Sequence, residues 1–332
     1  MTWGAGGRRP PKLHTGEPHD MTRYVLSRLV GIIGVLLAVS MITFVMMHAV
    51  PGGPFDTAQK QEMPVPESVR QTLMEKYGLD KPIYVQYLNY MSRLLQGDLG
   101  VSFRYGEPVT KFLQRSWPVT IQLALVTFSV ALAVGLVMGT LAALKPNSWL
   151  DYITSVAVVT NIVMPTFVVA ILLIVVFSVQ LKWLPTGGWG SPKQLIMPVI
   201  AWALGPSATI ARYTRSSLLE AMRADYVRTA YAKGLPKRAV VLRHAFKNAL
   251  IPLLTVIGPM IATMITGAFF IETIFRIPGI GNQLTLAIYN RDYPVIMALS
   301  LIWSAVIAIA YLLTDLLYAW VDPRVRLTGA AE

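Results

Sequence analysis

Residues 119–144 read VTIQLALVTFSVALAVGLVMGTLAAL, 26 positions without a charged side chain. A helix rises about 1.5 Å per residue and the hydrocarbon core of a bilayer is about 30 Å thick, so about 20 such residues cross it. The stretch therefore predicts a transmembrane helix, and similar runs lie on both sides of it. Leu29–Val50 is uncharged, and so is Tyr152–Leu181, where Pro165 near the middle predicts a kink. Leu195–Ala211 is shorter and interrupted by Pro198, Gly205 and Pro206. Ala249–Ile271 carries Pro252, Pro259 and Gly267, and Val295–Leu313 is clean and continues past Asp315 to Trp320. The expected fold is an all-α integral membrane protein with six transmembrane helices.

Composition agrees. Of 332 residues 54% are hydrophobic and 14% charged, with a mean hydropathy of +0.53. Soluble domains carry about 25% charged residues. The formal charge of +12 raises nucleic-acid binding as a rival, but the charges segregate by predicted side of the membrane. With the N-terminus cytoplasmic, the inner segments hold 17 basic and 8 acidic residues and the outer ones 12 and 9. Nine of the cations fall in Arg212–Leu250, which places that loop inside and both termini with it. Tyr24, Trp117, Trp149, Tyr152, Trp183, Tyr293 and Trp320 stand where the spans meet water. The first apolar run, 22 residues, exceeds the roughly 7–15 of a signal peptide and reads as a retained helix. The absence of cysteine excludes disulfides and thiol chemistry.

Two segments lie outside the spans. Pro51–Pro118 is a long external loop in which Glu67–Tyr77 and Ile83–Leu95 read as helices. Gly78 stops the first, and Ile83, Tyr87, Met91 and Leu94 share one face of the second. This small helical cap serves either as a lid packed on the spans or as a docking surface, and the residues leave both open. Residues 1–20 are rich in Gly, Pro and charge and are expected to be disordered. Met21 is the more natural start for a membrane helix, and translation is expected to begin there.

The inner loop carries the functional reading. Asp225–Lys233 has helical composition, with Tyr226, Val227, Ala230 and Tyr231 able to share an apolar face. Gly234 breaks the run, glycine being free of the roughly 1–2 kcal/mol left-handed penalty that a Cβ brings. Pro236 then suits the first turn of a second helix over Lys237–Leu250. Taken alone, this helix–glycine–helix elbow fits either an amphipathic pair on anionic lipid or a handle for a protein partner.

The elbow resembles the EAA loop of binding-protein-dependent ABC importer permeases, in which Glu-Ala-Ala is followed after three residues by Gly. Placing Gly234 on that glycine puts Arg228, Thr229 and Ala230 on the Glu-Ala-Ala positions. The first two depart from the general form, yet DYVRTAYAKGL is similar to the variant of dipeptide and oligopeptide permeases. Other pieces resemble the B-type peptide permease: Tyr24-Val-Leu-Ser-Arg-Leu, Pro51-Gly-Gly-Pro, Tyr77-Gly-Leu-Asp-Lys-Pro, Gln96-Gly-Asp-Leu-Gly-Val-Ser, Leu184-Pro, Glu272-Thr-Ile-Phe and Arg291-Asp-Tyr-Pro. The resemblance spans roughly residues 21–325.

It implies a type I ABC importer transmembrane domain fold. Residues 21–116 would hold the first helix and the cap, 117–322 the core with its coupling loop 212–250, and 323–332 a cytoplasmic tail. It further implies a plasma- or inner-membrane permease that pairs with a second, C-type permease, two cytoplasmic ATPases and an extracytoplasmic substrate-binding protein. By the same resemblance ATP and Mg would belong to the ATPases, and this chain is expected to bind no cofactor. The docking candidates carried over are Glu220, Asp225, Tyr226, Arg228, Thr229, Ala230, Lys233 and Gly234. Peptides are the expected cargo, and a nickel chelate or glutathione is the alternative within the same machinery.

The chain itself bears on the rivals. No Gly-x4-Gly-Lys-[Ser/Thr] phosphate loop is present, so a motor would have to be separate. A secondary transporter would place ionisable groups deep in the bilayer, and the spans are almost free of them. The four histidines, His14, His19, His48 and His244, lack metal-ligand spacing, which argues against an intramembrane enzyme. Polar residues within spans mark the candidate translocation path: Gln122, Thr160, Asn161, Thr166, Ser207 and Thr263, with Thr127, Thr209 and Thr266 beside them. Helix–helix hydrogen bonding is the plainer use of each.

Overall fold

The computed structural model describes residues 18–55 and 67–321. Of the tail 1–20 expected to be disordered, residues 18–20 instead open α1 and 1–17 lie outside the described residues, as does the expected tail 323–332. Among those described, the chain is helical throughout apart from loops and one isolated bridge, Val101 with Pro108. α1 (Pro18–Ala49) is followed by the two cap helices α2 (Glu67–Tyr77) and α3 (Ile83–Leu95), at the expected boundaries. Gly78 stops α2 at φ +66°. Ile83 is exposed, so the packed stripe of α3 is Tyr87, Tyr90, Met91 and Leu94 instead.

α4 (Val109–Leu144) begins ten residues before the apolar run and continues through Pro118. The expected third span is two helices, α5 (Trp149–Val163) and α6 (Thr166–Leu173), the latter running on as a π-helix over Ile174–Gln180. The break falls at Met164 and Pro165, which take extended angles, because a proline ring clashes with helical geometry in the residue before it.

The fourth span corrects the sequence reading. α7 (Pro192–Arg223) is one 32-residue helix that passes through Pro198, Gly205 and Pro206 without a break. Ser191 and Gln194 form a capping box at its start. What overrides the prolines is packing: α4 and α7 form the most extensive helix pair in the molecule. Gly135 lies against Ile210 and the Ser207 carbonyl, and Gly139 against Ala211 and Thr214, so closely that a Cβ at Gly139 would sit 2.5 Å from the Ala211 carbonyl oxygen. Small residues let two backbones approach where water supplies no drive for association.

α8 (Asp225–Ala232) precedes an unbroken helical stretch over 237–265. This is made of α9 (Lys237–Ala239), a π-helical stretch Val240–Ala245 and α10 (Phe246–Ile265). The short α11 (Phe269–Ile274) and α12 (Ile280–Tyr289) form a hairpin, and α13 (Tyr293–Val321) closes the described chain against α1. Among the described residues five helices are long and apolar enough to cross a membrane, and the divided α5–α6 pair supplies two shorter apolar ones. One end of the bundle bears the cap and hairpin, the other the α7–α8–α9 elbow. Separate apolar clusters fill each end, Phe44, Phe112 and Leu299 on the cap side and Leu218, Val227 and Val240 on the elbow side.

Candidate functional site

The elbow is built from a helix stop. Lys233 caps α8, the Gly234 N–H donates to the Tyr231 carbonyl at 2.9 Å, and the Leu235 N–H to the Ala230 carbonyl at 3.4 Å. That bond pair is a Schellman motif, which needs a left-handed residue at Gly234, and its φ is +78°. Open space surrounds the position where a Cβ would stand, so any other residue there meets backbone strain and no clash. Pro236 then starts the next helix.

Only a narrow foot of α8 is buried. Val227 and Ala230, one turn apart, enter the cluster of Ala143, Leu218, Ala221, Val240, Ala245 and Ala249. The expected apolar face was wider. Tyr226 and Tyr231 are each 41% exposed, since an eight-residue helix offers the core a single stripe. Of the docking candidates, Ala230 belongs to the foot. Glu220, Asp225, Tyr226, Arg228, Thr229, Lys233 and Gly234 face solvent. The Arg228–Asp225 pair, 3.3 Å apart, is exposed on both sides and screened.

The first turn of α5 braces α7 above the elbow. Asp151 is buried and accepts two hydrogen bonds from the Arg215 guanidinium and one from the Asn147 N–H. The bond from Arg215 holds its carboxyl below the usual carboxylate range, against the opposing effect of burial.

The path candidates are distributed over α4, α5, α6, α7 and α10. Gln122, Thr160, Thr166 and Thr263 are exposed and Ser207 is half-buried, while the side chain of Asn161 lies outside the described residues. The hydroxyls of Ser207 and Thr263 donate to carbonyls three residues back in their own helices, Leu204 and Met260. Thr266 does likewise to Thr263, and Thr127 is buried with its hydroxyl unpartnered. A cavity of about 380 Å³ lies instead on the cap side, among Phe44, His48, Tyr77, Tyr90, Phe103 and Tyr293, and none of these candidates lines it.

On the cap side stand two buried carboxylates. Glu272 of α11 accepts hydrogen bonds from the Thr120 hydroxyl (2.9 Å) and from the N–H groups of Gly281 (2.7 Å) and Asn282 (3.1 Å), at the start of α12. Thr120 in turn accepts from the Ile280 N–H at 2.9 Å. Asp292 accepts from the Ser102 hydroxyl and from the N–H groups of Phe103 and Arg104. Among the described residues no group of three or more metal-ligating side chains comes together.

Residues 135–327 match the family described as the binding-protein-dependent transport system inner membrane component, and residues 21–124 match its N-terminal region. The chain belongs to this family. The dipeptide transport system permease protein DppB of Bacillus subtilis is 40% identical over 308 residues, which cover 92% of this chain and 99% of that one. The oligopeptide transport system permease protein OppB of Salmonella typhimurium is 40% identical over 309 residues, 92% of this chain and all of that one. A crystal structure of an amino acid ABC transporter superposes with a TM-score of 0.49 at 15% identity, over 65% of this chain and 95% of that one. This permease is thus a multi-pass membrane component of a transport system.

Sequence reasoning missed the burial of Glu272 and Asp292 in the permease. It counted both as external acids, although Gly267, Gly279 and Gly281 near Glu272 were a usable signal. Gly279 and Gly281 pack so tightly on the carboxylate that a Cβ on Gly279 would stand 2.4 Å from it. Ser102 gave no such signal, because its partner lies 190 residues away.

Proposed function

We propose that this permease forms half of the path of an ATP-driven importer for di- or oligopeptides. A second permease of the C type supplies the other half. Two cytoplasmic ATPases bind and hydrolyse ATP with Mg, and an extracytoplasmic binding protein delivers the peptide to the cap side. The termini and the elbow then face the cytoplasm, in the plasma or inner membrane. The observation that carries this reading is the elbow, which presents Asp225, Tyr226, Arg228, Thr229, Lys233 and Gly234 outward on an apolar foot of Val227 and Ala230. Such a part receives force: its polar surface is free for a groove on an ATPase, and its foot passes displacement to α7 and to the helix over 237–265. Peptide cargo is supported by the two relatives named above. Gln122, Thr160, Asn161, Thr166, Ser207 and Thr263 remain the candidate lining of the path, completed by the second permease.

Affinity purification from native membranes tests this, followed by uptake of labelled peptide into vesicles loaded with ATP. Co-purification of two ATPases and a second permease, with uptake that stops on ATP depletion, is expected. A chain that is recovered alone and active, or uptake driven by an ion gradient and abolished by ionophore, would sink the proposal.

A further inference from the structure

The hairpin over 266–292 is the hub of the cap side. Besides Glu272 on α4 and Asp292 on the cap loop, the Trp117 indole donates to the Ile265 carbonyl just before it (3.2 Å). The Gly188 N–H donates to the Phe275 carbonyl at 2.7 Å, and Arg291 to the Pro51 carbonyl at 2.7 Å. Phe103, whose N–H is held by Asp292, has its ring centroid 4.6 Å from that of Tyr77 at the end of α2. The hairpin continues directly from the helix over 237–265, which begins at the elbow and is about 43 Å long at 1.5 Å per residue. One strut therefore runs from Gly234 to the cap. At its cap end it is fastened by two carboxylates which, among the described residues, have no cation within hydrogen-bonding reach and are held by hydroxyl and backbone donors.

A buried carboxylate is costly unless its hydrogen bonds are made. Each junction is thus a discrete contact, made or lost as a unit, and so fit to pass movement between two bodies. We infer that Asp292 and Glu272 are positioning residues for ATPase stimulation: they fasten the cap and α4 to the strut that ends in the elbow, so that pressure of a loaded binding protein on the cap reaches the ATPases. This rests on the function proposed above.

The test uses the complete complex in lipid nanodiscs, with ATP hydrolysis measured against increasing peptide-loaded binding protein. Asp292→Asn and Thr120→Val are compared with wild type and with Arg115→Ala, which removes an exposed pair with Glu107. For the two junction variants, hydrolysis without binding protein stays at the wild-type rate and maximal stimulation falls by about fivefold or more. The binding-protein concentration at half-stimulation is unchanged. Arg115→Ala behaves as wild type. Unchanged stimulation, a shift of the half-stimulating concentration alone, or an equal fall in basal and stimulated rates would each overturn the inference. If Asp292→Asn does not assemble, Ser102→Ala, which removes one donor and leaves the carboxylate, decides by the same readings. A wild-type complex that is never stimulated overturns the proposed function and this role with it. A stimulated wild type beside equally stimulated variants overturns only the role.

Discussion

The elbow and the hairpin stand at opposite ends of the permease and are held by opposite means. The elbow keeps its shape through a Schellman stop and two small apolar side chains, and its polar groups are left to solvent. The hairpin buries its charges: Glu272 is 0% and Asp292 1% exposed, and both are fully engaged with protein donors. A surface meant for another protein must keep its hydrogen-bonding capacity free. A joint that holds several segments of one chain together spends that capacity internally. Substitutions that crowd or delete a hairpin carboxylate should therefore act on folding, conservative ones at its junctions on coupling, and those at the elbow on transport.

The largest expected effect is Gly279→Val. Its Cβ would meet the Glu272 carboxylate and the Thr120 hydroxyl at 2.4 and 2.5 Å, and no folded permease should be recovered from membranes by size-exclusion chromatography. Glu272→Ala comes next. It strands buried donors of Thr120, Gly281 and Asn282, which at about 1–3 kcal/mol for an unsatisfied group should lower the thermal midpoint in detergent by several degrees. At the elbow the pattern inverts. Gly234→Val costs only the left-handed strain of about 1–2 kcal/mol, so insertion and yield persist while uptake falls about tenfold or more. Normal uptake by that variant would break the comparison. Arg228→Ala with Lys233→Ala should leave the thermal midpoint unmoved and weaken ATPase co-purification, because both side chains are exposed.

The smallest effect sharpens the boundary between the two regimes. Asp151 lies on the elbow side yet is buried and bonded like a hairpin residue. Its carboxyl is held below the usual carboxylate range in the folded state by Arg215. The stability it lends is therefore present above the ordinary carboxylate pKa of about 4 and fades as pH falls through the lower folded value. Arg215→Ala should remove part of the acid-induced drop in thermal midpoint while lowering the midpoint at neutral pH. An identical pH profile in the variant would place the pair outside the brace.

Much of this architecture was legible in the amino acids. The apolar runs marked the spans because a bilayer admits only helices whose backbone bonds are internal. The cap helices α2 and α3 kept their predicted boundaries, and Gly234 its left-handed turn, because local stop signals act within a few residues. Context across the fold decided the rest. α7 stays whole through two prolines because α4 packs on it through Gly135 and Gly139, and a partner helix more than sixty positions away in sequence leaves no mark on local pattern. Glu272 and Asp292 look like ordinary surface acids until the chain brings Thr120 and Ser102 to them from 152 and 190 residues away. Periodicity and turn chemistry are short-range, so they can be read along a string. The burial of a charge depends on which donors converge in space, and only the folded chain supplies them.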